Sequence, residues 1–135
     1  MCTRGNFYHY IKIKRIYCYK IGLEYYHSNN TEVRRWVREK FEKEAHTIDL
    51  EQDKKKRILK KLNEATVFEQ FLQTKFIGQK RFSLEGGETT IPALDALITK
   101  GVDLGANEFV FGMAHRGRLN VLANIIGKSY EFIFS

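Results

Sequence analysis

The first 23 positions contain no acidic residue, and the 135-residue chain holds a single proline and only two cysteines. Each shortage excludes something. Cys2 and Cys18 make neither a disulfide framework nor a metal-ligand spacing, which points to a reducing compartment. No apolar run approaches the roughly 20 residues that a bilayer-spanning helix needs. The first apolar stretch is broken by Lys12, Lys14 and Arg15, so it does not read as the core of a signal peptide. The expectation is a cytoplasmic chain of one domain at most, long enough for a real core. Apolar residues make up 43% and charged residues 29%, ordinary for a soluble globular chain. With 23 Lys and Arg against 16 Asp and Glu, the formal charge is +7, a bias toward anionic partners.

That charge is uneven. In "YIKIKRIYCYKIG" Ile11 and Ile13 alternate with lysines, a two-residue period that predicts a short strand or an extended arm. Such a basic, aromatic arm is compatible with nucleic-acid binding, with a transit peptide, or with a plain extended lead-in. From Thr31 the pattern turns helical. Asn30 or Thr31 caps a helix that carries Val33, Trp36, Val37 and Phe41 on one face. Asp49 can cap a second helix, with Ile58, Leu59 and Leu62 inward and Lys54 to Arg57 on its solvated face. A third, "ATVFEQFLQTKF", presents Phe68, Phe71, Leu72 and Phe76 at core spacing.

The second half differs in texture. Gly86 and Gly87 mark a turn, Thr89 and Thr90 are cap candidates, and Pro92 fits the first turn of a helix with Leu94, Leu97 and Ile98. "NEFVFGM" predicts an apolar strand from Glu108 to Met113. "LNVLANIIGK" resumes a helix through Leu119, Leu122, Ile125 and Ile126. Helix, loop, strand, polar turn and helix in that order predict an α/β fold whose functional edge lies where the strand ends. There "AHRGRL" sets His115, Arg116 and Arg118 around Gly117. Glycine permits close backbone approach and the arginines offer charge-assisted donors, a combination suited to phosphate or carboxylate. His115 can donate, accept or carry charge near neutral pH. Equally, the arginines can pair with Glu85 or Glu88. The spacing matches no Walker motif and no dinucleotide fingerprint.

Three strings, "IGLEYYHSNNTEVRRWVREKFE", "KRFSLEGGETTIPALDALI" and "FGMAHRGRLNVLANIIGK", carry a specific resemblance in their order and spacing. Together they resemble the E1 component of 2-oxoglutarate dehydrogenase, a thiamine diphosphate-dependent decarboxylase, from about Tyr17 to Ser135. The resemblance implies that His115 lies by the substrate and the reactive thiazolium carbon, as a catalytic and substrate-binding residue. It implies Arg116 at the cofactor's diphosphate, and Phe82 and Ser83 lining the same pocket, with Arg81 a weaker candidate. It further implies decarboxylation of 2-oxoglutarate, succinyl transfer to the lipoyl group of the E2 dihydrolipoyl succinyltransferase, magnesium, and a homodimer, with neither nucleic acid nor membrane as partner.

Departures from that family bear on what the chain can do. The GDG…N magnesium stretch and the glutamate that activates the aminopyrimidine are not found. Asp103 and Asn107 stand in "DLGANEFV" without the pattern. The expectation is therefore an incomplete N-terminal fragment, inactive by itself. It would comprise a basic arm at 1–16, a helical lead-in at 17–78, and from 79 the beginning of the first, transketolase-like thiamine diphosphate-binding α/β domain. The alternatives are a free-standing basic module that binds nucleic acid or another partner, and a pseudo-enzyme that keeps the fold alone.

Overall fold

The computed structural model describes residues 4–18, 20–44 and 49–135. Cys2 and most of the connection before Leu50 lie outside the described residues. Cys18 is a free, exposed thiol. The helices among the described residues are α1 (Arg4–Tyr17), α2 (Thr31–Glu44), α3 (Gln52–Lys75), α4 (Thr90–Asp103), α5 (Arg118–Asn124) and α6 (Tyr130–Phe134). They fall into two compact units, Met1–Leu50 and Glu51–Ser135. No strand occurs among the described residues. The α/β expectation is therefore wrong, and the fold of these residues is all-helical.

Two local readings fail for one reason. The alternating "IKIK" segment belongs to helix α1, and Phe109 to Met113 lies in irregular backbone without a ladder partner. A strand's backbone groups need a second strand, whereas a helix satisfies its own. With no pairing segment folded beside them, α1 closes its hydrogen bonds locally. The 109–113 run is anchored instead through side chains. The Phe109 ring packs so tightly on Gly101 that a Cβ there would sit 2.8 Å from it. Met113 packs against the core, and Val110 is left 90% exposed.

In the first unit, α2 starts where the cap signal places it. Asn30 Oδ1 accepts from the backbone N–H of Glu32 at 2.9 Å and of Val33 at 3.2 Å. None of its residues is fully buried, and Trp36 remains 65% exposed. Ile16 of α1 is buried, and the Tyr17 hydroxyl donates to Glu42 of α2, with the Tyr17 and Phe41 rings 6.3 Å apart.

In the second unit, the two helices read on either side of Ala65 are one, α3, because nothing between Leu62 and Phe68 breaks the helix. Asp49 does not begin it; Glu51 holds the N-cap position without a side-chain cap. Phe68 and Leu72 are buried as their spacing predicts, whereas Leu59 is 68% exposed. Ala65, Leu84, Ile91 and Val121 form the core, flanked by Leu94, Met113 and Ile125. The C-terminal aromatics close over the far end of α3, with Tyr130 stacked on Phe68 at 5.6 Å and Phe134 on Phe76 at 4.8 Å. Arg57 is more than a solvated cation. Its Nε donates to Asp95 Oδ2 at 2.6 Å and its Nη2 to Oδ1 at 3.0 Å, fastening α3 to α4. That bond holds the Asp95 carboxyl below its ordinary value, against the opposing effect of burial.

Candidate functional site

The residues singled out in "KRFSLEGG" and "AHRGRL" come from segments more than 30 positions apart, and the fold brings them together. Gly117 donates its N–H to the Phe82 carbonyl at 2.8 Å. Arg116 Nη1 donates to the Ser83 carbonyl at 3.3 Å. The Phe82 ring lies 4.3 Å from the His115 ring, tilted by 57°. Loop and turn are thus joined by two backbone-directed hydrogen bonds and one ring contact, and the surface they share is open. His115, Arg116 and Phe82 are exposed, while Ser83 is half-buried.

Local conformation explains why the segments meet. Gly117 precedes α5 with φ 71°, in the left-handed region, and the turn lies against Leu84. A Cβ at 117 would sit 2.5 Å from Leu84 Cδ1, so glycine is required both for the dihedral and for the approach. Phe82 has φ 46° and is the one non-glycine residue with positive φ among the described residues. That conformation costs on the order of 1–3 kcal/mol and persists only where the surroundings impose it. Here the bond from Gly117 and the buried side chain of Leu84 hold Phe82 from both sides. The strain turns the chain so that Phe82 faces His115 while Leu84 enters the core.

The arginines do not pair with Glu85 or Glu88. Arg118 Nη2 donates to the Met113 carbonyl at 3.3 Å, bracing its own turn together with the bond from its N–H to the His115 carbonyl. Glu88 accepts from Gly86 N–H within its own loop, and Ser83 Oγ accepts from Glu85 N–H. Arg116 meets no carboxylate among the described ion pairs, and its side chain is exposed, with the Ser83 carbonyl as a hydrogen-bond acceptor. A fixed guanidinium with spare donors on an open surface fits a diphosphate. No group of three or more His, Cys, Asp or Glu among the described residues is placed to hold a metal ion.

Between α3 and α5 lies a polar cluster that sequence reasoning did not find. Asn120 is fully buried and its Nδ2 donates to the Ala65 carbonyl and to Glu69 Oε1, both at 3.0 Å. Asn124 Nδ2 donates in turn to Asn120 Oδ1 at 2.7 Å. Glu69 is 4% exposed, and its other oxygen has no hydrogen-bond partner but stands 3.9 Å from Arg81 Nη1. Arg81 also donates from Nη1 to the Glu69 carbonyl at 3.3 Å and thereby ties the loop to α3. The available signal was Glu69 standing between Phe68 and Phe71 on the apolar face of a helix, where a carboxylate needs a partner.

No protein-family model matches the chain. It is 50% identical over 123 residues, 91% of its length, to the multifunctional 2-oxoglutarate metabolism enzyme of Mycolicibacterium vanbaalenii. It is 45% identical over 122 residues, 90% of its length, to the 2-oxoglutarate dehydrogenase E1 components of Brucella anthropi and Brucella canis. Over this stretch the chain is homologous to 2-oxoglutarate dehydrogenase E1. The chain spans 10% of the length of the first relative and 12% of the length of the E1 components. Both strings that meet at the Phe82–His115 junction lie in a chain matched along nine-tenths of its length.

Proposed function

We propose that this stretch supplies one wall of the active site of a 2-oxoglutarate dehydrogenase E1. That enzyme decarboxylates 2-oxoglutarate and passes the succinyl group to the lipoyl arm of an E2 partner. The observation that carries the reading is the junction at which Gly117 N–H meets the Phe82 carbonyl and Phe82 meets His115. Residues chosen for one pocket stand side by side although their strings are remote in sequence. Thiamine diphosphate, when bound, supplies the electron sink for loss of CO2. Arg116, bonded to the Ser83 carbonyl, would hold the diphosphate with its remaining N–H donors. His115 would serve the keto oxygen of the substrate, where its imidazole would donate a hydrogen bond or a proton as charge develops. Phe82 and Ser83 form the adjoining wall, with the Phe82 ring limiting how far His115 can swing.

Residues 79–135 belong, on this proposal, to the cofactor-binding part of the enzyme and 17–78 to a helical lead-in. Magnesium ligands and the second subunit of a homodimer come from elsewhere, and a cytoplasmic location accompanies the reading. No helix among the described residues is long and apolar enough to cross a membrane. The 135-residue chain by itself is expected to release no CO2 from 2-oxoglutarate.

Titration of an intact E1 carrying this stretch with thiamine diphosphate tests the assignment. Arg116→Ala is expected to raise the cofactor requirement roughly tenfold to a hundredfold, the equivalent of a lost charge-assisted hydrogen bond of about 1.5–3 kcal/mol. His115→Ala is expected to lower turnover by more than it weakens cofactor binding. Arg118→Ala, whose guanidinium braces Met113, is expected to act through stability. A larger cofactor defect in Arg118→Ala than in Arg116→Ala would refute the roles given to this turn.

A further inference from the structure

A second cationic place lies in the first unit, remote in sequence from the Phe82–His115 junction and independent of its proposed role. Arg34, Arg35 and Arg38 line an open cleft of about 330 Å³ together with Thr31, Tyr25 and Tyr26. The spacing explains the cluster. Positions 34 and 38 are one helical turn apart, and 35 lies beside them on the same side of α2. Like charges at this spacing repel one another. Carboxylates usually relieve such repulsion, and the sequence offers Glu39 one turn after Arg35 and Glu42 one turn after Arg38. Neither is used in that way. Glu42 is the acceptor of the Tyr17 hydroxyl, and none of the three arginines has a carboxylate partner among the described ion pairs.

The remaining walls are aromatic and hydroxylic. The Tyr25 and Tyr26 rings stack on each other, 4.8 Å between centroids and 27° between planes, and Tyr26 is 73% exposed. The start of α2 is already served, because Asn30 takes the N–H groups of Glu32 and Val33. An anion here would therefore be bound by guanidinium forks rather than by free helix N–H groups. Three forks around one cleft match the multiple charge of a diphosphate better than the single charge of a carboxylate.

We propose that the cleft between the Tyr25–Tyr26 pair and the arginine face of α2 binds a small diphosphate-bearing ligand through Arg34, Arg35 and Arg38. A free pyrophosphate, a nucleoside diphosphate and thiamine diphosphate share that chemistry, so the site must be told apart from the one assigned to Arg116.

Calorimetric titration of the 135-residue chain with pyrophosphate, at low ionic strength, reads binding directly, and backbone amide shifts on the unsubstituted chain locate it. Saturable binding is expected, with the largest shifts between residues 25 and 38. Arg35→Gln and Arg38→Gln should each weaken it about tenfold or more, with helix content unchanged by circular dichroism. Lys54→Gln combined with Lys56→Gln, which removes charge from another helix, should leave it within about twofold. A nucleoside diphosphate binding more tightly than pyrophosphate, with the excess lost in Tyr26→Ala, would assign the source to a nucleotide. Equal affinity for pyrophosphate and thiamine diphosphate, insensitive to Tyr26→Ala, would assign the diphosphate group alone. The proposal is overturned by absence of saturable binding, by shifts confined to residues 81–85 and 115–118, or by equal losses in the Lys54/Lys56 variant.

Discussion

Substituting Gly117 by alanine tests the joint on which the candidate site depends, because two separable penalties fall on it. The first is conformational. At φ 71° an L-residue is in the left-handed region, at a cost of about 1–2 kcal/mol. The second is steric. The new Cβ would stand 2.5 Å from Leu84 Cδ1 and 3.2 Å from both Leu84 Cβ and Cγ. Leu84 is only 6% exposed and belongs to the core, so it cannot swing into solvent. Overpacking of that kind costs about 1–3 kcal/mol. The sum, about 2–5 kcal/mol, is a large share of the roughly 5–15 kcal/mol that a domain of this size commands.

Gly78 isolates the first penalty. It has φ 79°, and a Cβ there would meet nothing within 4 Å. Urea denaturation of Gly78→Ala should therefore show a loss of about 1–2 kcal/mol, and Gly117→Ala a further 1–3. At a slope of about 1.5 kcal/mol per molar urea, that excess moves the midpoint by roughly 0.7–2 M. Trimming Leu84 to alanine is destabilising by itself but removes the clash, so the double variant should be more stable than the two single losses add up to. In the nuclear magnetic resonance spectrum, the ring-current shift that Phe82 imposes on His115 should weaken in Gly117→Ala and persist in Gly78→Ala. Equal midpoints for the two glycine variants, or additive losses with Leu84→Ala, would refute the claim that close approach to Leu84 sets this turn.

Two further predictions follow from hydrogen-bonded ionisable pairs. Asp95 is held below its ordinary value by Arg57, so the pair's contribution is complete above the unfolded value near pH 4 and fades as pH falls through the lower folded value. Because Arg57 is 55% exposed, a double-mutant cycle with Arg57→Met and Asp95→Asn should give a small favourable coupling at pH 7 that fades on acidification; a coupling that stays constant from pH 7 to pH 2 would sink this reading. Tyr17 is pushed up to about 12, first by its hydrogen bond to Glu42 and then by burial. Its contribution is present below the unfolded value near pH 10 and lost as pH rises toward 12, so spectrophotometric titration should show a late-ionising tyrosine that moves earlier in Glu42→Gln. An identical titration curve in that variant would count against the bond.

What the sequence determined by itself was local. A cap signal at Asn30 or Thr31 before a 3.6-residue apolar rhythm located the start of α2, because a cap acts on N–H groups two and three residues away, and the structure gives that part to Asn30. The spacing of Phe68 and Leu72 located the buried face of α3. The three strings pointed to their E1 relatives, because a specific order of side chains is legible without any coordinates. Tertiary structure decided whatever depends on a distant partner. The "IKIK" and "FVFGM" segments have strand-like composition, but a strand exists only when another segment pairs with it, and none does among the described residues. The arginines of the turn could have met carboxylates and instead meet the carbonyls of Ser83 and Met113. Nor does any periodicity announce that Phe82 takes a positive φ, or that Gly117 lies against Leu84. Those contacts cross more than 30 residues of chain, and only packing around the core selects them.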